Sequence, residues 1–109
     1  MSKKVSVSKT VNATVEETLR KVVSAIRELD LELETIDSQN GIITFVKLQI
    51  GLQLYRYQCV VFDMGDGSTS CTILTIGYDV EGMAREFLDR NKLLGWNSRK
   101  YSQKILDRL

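Results

Sequence analysis

Between Leu31 and Tyr78 the chain alternates apolar and polar residues in four runs, separated by glycine-bearing breaks at Asn40-Gly41, at Gly51, and along DMGDGS from Asp63 to Ser68. Alternation at period two is the mark of strands with one buried face, and tight breaks between such runs turn each strand back antiparallel to the last. LELETID (31–37) sets Leu31, Leu33 and Thr35 against Glu32, Glu34 and Ile36, and IITFV returns from Ile42. YQCVVF and SCTILTIGY flank the Asp66-Gly67 turn and are rich in β-branched and aromatic residues, which suit a pleated surface. The least obvious break lies in KLQIGLQLYRY (47–57), where Leu48, Ile50, Leu52 and Leu54 surround a single glycine. One strand from Ile42 to Phe62 would run about 21 residues against a usual 5–6, and its alternation fails at Arg56 and Gln58. The spacing therefore predicts two strands joined near Gly51, the one residue there without a steric objection to a turn.

Upstream, VSVSKTV (Val5 to Val11) reads as a strand, and Thr14 with Glu17 has capping-box spacing. Val15, Leu19, Val22, Ile26 and Leu29 then recur every three or four residues, with charges on the other side, so an amphipathic helix follows. Downstream, Met83, Phe87 and Leu94 suggest a helical face bracketed by Gly82 and Gly95, and Gly95 either ends that helix or bends a longer one. Tyr101, Ile105 and Leu109, with Leu106 beside them, mark a terminal amphipathic helix for which Asn97 or Ser98 would be the cap. The expected fold is one α+β domain over residues 1–109, in the order β-α-β-β-β-β-α. An antiparallel sheet of about five strands is packed on one side by an N-terminal and a C-terminal helix.

The chemistry open to this chain is narrow. It has no histidine, which removes histidine bases, Ser-His-Asp and Cys-His arrangements and imidazole metal sites. No GK[ST] phosphate loop occurs. Asp63, Asp66 and Asp79 lie near glycine-rich turns, but a calcium loop needs more oxygens than these supply, and hairpin chemistry accounts for them. Cys59 and Cys71 flank Gly65 near-symmetrically and could face each other across the ladder. We read them first as small buried hydrophobes in a reducing cytosol, with redox pairing as the alternative. No metal, cofactor or enzymatic activity is expected.

Charge adds little. The net charge is +1, so no overall field draws the protein to nucleic acid or an acidic membrane. Residues 84–109 carry seven basic side chains against three acids, a local +4 that leaves −3 elsewhere, and this reads as a solvated face. No apolar run reaches the roughly 20 residues of a membrane span, and a cytoplasmic location is expected. Tyr55, Arg56 and Tyr57 come without a recognised RNA motif, so nucleic acid is not expected as a partner.

With Thr14 to Leu29, Asn40-Gly41, Asp66-Gly67, and Gly95-Trp96 followed by Arg99 and Lys100 in place, the chain resembles a small member of the helix-grip architecture. In that class an antiparallel sheet wraps a long C-terminal helix, as in the larger pollen-allergen and START-type lipid-binding domains and in the TATA-binding-protein-like topology. It also resembles short, uncharacterised bacterial proteins with the same sequence of turns. The resemblance implies an architecture and leaves activity open.

The expected function is that of a non-enzymatic interaction protein. Its apolar rim at residues 48–55 would contact a protein partner or a second copy of the chain. The alternative is a binding module for a small hydrophobic or lipid-like ligand, held between sheet and C-terminal helix and lined by residues such as Val61 and Leu74. The candidate residues are Leu48, Ile50, Leu52, Leu54, Tyr55, Tyr57, Trp96 and Tyr101.

Overall fold

The computed structural model describes residues 5–49, 52–77 and 93–109. Strand β1 (Val5–Val11) leads to helix α1 (Val15–Glu28). Strands β2 (Glu32–Asp37), β3 (Ile42–Gln49), β4 (Leu52–Asp63) and β5 (Thr69–Gly77) follow, and helix α2 (Leu93–Leu106) comes last. The five strands form one antiparallel sheet in the order β1-β5-β4-β3-β2. The meander is as expected, and β1 joins it beside β5 rather than beside its neighbour in sequence.

Local chemistry sets the boundaries. The Thr14 hydroxyl accepts from the Glu17 amide at 3.1 Å while the Glu17 carboxylate accepts from the Thr14 amide at 3.0 Å, the reciprocal cap that starts α1. The helix ends without glycine. Asp30 takes φ +61°, its amide donates to Arg27 O and the Leu31 amide donates to Ile26 O, closing a Schellman turn on a residue type that tolerates the left-handed region. In the β2–β3 turn, Asp37 accepts from the Asn40 side chain at 2.8 Å and Gly41 supplies the positive φ. In the β4–β5 turn, Asp63 and Asp66 accept from the amides of Gly65 and Ser68. Both aspartates thus act as turn residues.

One face of the sheet carries the core. Ile43, Cys59 and Ile73 stand in register across the three central strands, and Phe45, Tyr57 and Thr75 form the next row. All six are buried, and both helices cover this face with Leu19, Val22, Ala25 and Ile26 from α1 and Ile105 and Leu106 from α2. At roughly 25 cal/mol per Å² of apolar surface, each large aliphatic or aromatic side chain among them contributes about 1.5–3 kcal/mol on burial.

The terminal helix corrects one boundary. It already includes Leu93, so Gly95 lies within a helix and does not end one, and Asn97 and Ser98 lie inside it rather than capping it. Met83, Phe87, Asp79 and Gly82 lie outside the described residues. No helix among the described residues is long and apolar enough to cross a membrane.

Candidate functional site

The rim forms where β3 passes into β4. Gln49 pairs with Leu52, so the two strands are joined by Ile50 and Gly51 alone, as the failed alternation implied. Lys47 pairs with Tyr55 and Leu48 with Gln53, which leaves Leu54 as the extra residue of a bulge. A second irregularity sits beside it, where Arg56 pairs with Gly77 and Tyr57 with Thr75, and Ile76 is the residue passed over. Bulges at a sheet end re-aim side chains, and here Leu48 is 39% and Ile76 44% exposed at the same end of the sheet. Ile50, and the side chains of Leu52, Leu54 and Trp96, lie outside the described residues.

Tyr55 and Tyr57, expected at the opening, are core residues instead, with 1% and 0% of their surface exposed. The alternation that seemed to carry an apolar lip into them is reset by the bulge, which turns both rings under the helices. Phe45 stacks on Tyr57 with ring centroids 4.9 Å apart, and Tyr55 lies 6.2 Å from Tyr57 and 6.3 Å from Tyr101. Spacings of this kind add to the stabilisation from area alone. Half-buried Tyr101 closes the cluster from α2, and the Lys47 ammonium sits 5.2 Å from its ring centre. These rings pack together between the sheet and α2. Val61 is buried in the same core, whereas Leu74 pairs with Gln58 and Ser6 in the phase opposite to Ile73 and cannot line that space.

Around the rim the charges are few. Arg56 meets Glu34 at 3.1 Å across β3, a half-exposed pair of the sort that contributes little to stability. Among the described residues, no group of three or more Cys, Asp or Glu is placed to hold a metal ion.

Besides Ile76, two exposed apolar side chains escaped the sequence reading. Phe62, 64% exposed, and Met64 lie at the opposite end of the sheet, leading into the β4–β5 turn. The signal was present: Val61 faces inward, so the next residue in the alternation had to face out.

No protein-family model matches the chain, and no curated protein matches it. Among solved structures it is similar to TTHA0849 from Thermus thermophilus, with a TM-score of 0.61 at 12% sequence identity. The superposition covers 97% of this chain and 96% of that one. The likeness is one of fold. It agrees with a five-stranded antiparallel sheet carrying two helices, and it extends over nearly the full length of both chains.

Proposed function

We propose that this chain is a non-enzymatic interaction protein of small helix-grip architecture, acting in the cytoplasm, whose contact surface is the apolar rim around the β3–β4 connection. The observation that carries the reading is Leu48, a large aliphatic side chain left substantially exposed beside a two-residue strand connection. Ile76 extends the apolar surface at the same end. The packed rings of Phe45, Tyr55, Tyr57 and Tyr101 support a surface rather than an internal cavity as the place of binding. Hollowing a core of this size would cost about 24 cal/mol per Å³ of void.

Self-association is the form to test first. Light scattering across a concentration series, with native mass spectrometry of the same samples, should show a dimer in the wild type. Leu48→Asp should weaken it by about tenfold or more, since a buried carboxylate at the contact loses its hydration, and should leave the thermal midpoint nearly unchanged. A wild type that stays monomeric at every concentration, a retained small apolar molecule in place of a second chain, or a large stability loss in the variant would overturn the reading.

A further inference from the structure

The chain's two cysteines converge inside the sheet. Cys59 on β4 pairs with Ile73, and Cys71 on β5 pairs with Val61, so the thiols are diagonal rather than directly opposed as the hairpin symmetry suggested. Both are fully buried, yet their sulfurs lie 3.5 Å apart and share a hydrogen bond. Two small apolar fillers need only pack against their neighbours. These two sulfurs are turned toward each other, in a layer closed by α1, with no other cysteine in the chain to compete.

We propose that Cys59 and Cys71 are a redox modification site, a dithiol that hydrogen peroxide closes to an intramolecular disulfide. The shared hydrogen bond lowers Cys71, because the Cys59 thiol donates to the Cys71 sulfur as it loses its proton. The same bond, with burial second, pushes Cys59 well above the ordinary thiol range. The thiolate is the nucleophile in this chemistry, and either sulfur can donate the shared hydrogen bond to the one that ionises; with Cys71 attacking, Cys59 resolves. In the first step the Cys71 sulfur bonds to one peroxide oxygen and the O–O bond breaks. The departing hydroxide takes the proton released by Cys71 and leaves as water, and Cys71 becomes a sulfenic acid. In the second step the Cys59 sulfur bonds to the Cys71 sulfur, the S–O bond breaks, and the hydroxyl leaves with the Cys59 proton as a second water. The two sulfurs together give up two electrons, which the peroxide accepts.

The diagonal placement sets the character of the bond. Diagonal residues on adjacent strands have α-carbons about 7–8 Å apart, and a relaxed disulfide wants about 4.4–6.8 Å. Closure therefore strains the β4–β5 ladder, and a strained disulfide is readily reduced. The site is thus reversible rather than a permanent staple. Its full burial selects a water-sized oxidant over a bulky one such as glutathione disulfide.

The test is intact-mass spectrometry with denaturing thiol alkylation on the full chain after graded hydrogen peroxide. The wild type should lose both alkylatable thiols and two hydrogen atoms of mass, form no intermolecular bridge on non-reducing denaturing gels, and recover both thiols with dithiothreitol. It should react with peroxide at least about tenfold faster than with glutathione disulfide. Cys59→Ala should stop at a sulfenic acid on Cys71 and Cys71→Ala at one on Cys59, each trapped by dimedone and each formed more slowly than the wild-type disulfide, because the shared hydrogen bond is gone. The wild-type measurement stands even where a variant folds poorly. Retention of both thiols at peroxide levels that oxidise a cysteine peptide, gain of oxygen without loss of hydrogen, or a bridge between molecules would overturn the proposal.

Discussion

Gly41 shows how one residue ties two hairpins together. Its φ is +68°, its carbonyl accepts from the Val61 amide at 2.8 Å, and a Cβ placed on it would press into the Val61 carbonyl. Both the backbone angle and the space demand glycine. Gly65, at φ +85°, has the angle without the crowding, since nothing lies within 4 Å of where its Cβ would be. Gly41→Ala should therefore cost about 2–3 kcal/mol and Gly65→Ala about 1 kcal/mol, read from urea midpoints at constant slope. Equal losses would mean that the approach of Val61 carries no penalty. At this scale the sequence was informative about where turns fall and silent about their crowding. Asn40-Gly41 marked the turn, but nothing local reveals that β4 passes directly over it. Tyr55 and Tyr57 failed for a related reason: a bulge shifts alternation by one residue, and only the pairing of two strands discloses a bulge.

At the scale of the element, α1 is held by its first turn as well as by its buried stripe. Glu17 accepts from the Thr14 amide and then from its hydroxyl, and both hold its carboxyl below the ordinary value of 4.5. A carboxylate lowered by folding contributes fully above the unfolded value and loses its contribution as pH falls through the folded one. Thr14→Ala should thus cost about 1 kcal/mol at neutral pH, and the gap to wild type should narrow as pH drops below 4.5, checked by thermal melts from about pH 7 to 3. A gap independent of pH would show that the bond from the Thr14 hydroxyl to the Glu17 carboxylate contributes nothing. The capping box was plain in the sequence because its residues are three apart. The course of α2 was not, because the polar run Asn97-Ser98 that resembles a cap is carried inside a helix that already includes Leu93.

At the scale of the molecule, the edge of the sheet and the end of the last helix are joined by one side chain. Lys9 on β1 extends to Leu106 O at 3.1 Å, placing a cation at the negative end of α2 on a carbonyl that also accepts from the Leu109 amide. Arg108 meets Glu28 at 2.9 Å and links the same region to the end of α1. Lys9→Met keeps most of the aliphatic stem and removes the donor, and should cost about 1 kcal/mol in denaturant unfolding. No measurable loss would place the stabilisation in the stem. The sequence offered Lys9 only as a charge in an alternating strand. Which helix end it would meet depends on β1 lying beside β5, a long-range choice that periodicity does not encode.

That strand order also dictates a timetable. Every ladder partner of β1 lies between Thr69 and Thr75, so as the polypeptide leaves the ribosome β1 must wait until β5 has been made. The β2–β3, β3–β4 and β4–β5 hairpins can each zip up on their own within microseconds, whereas enclosing the intervening loop is slow. Assembly of this molecule is thereby governed by the late return of its own beginning.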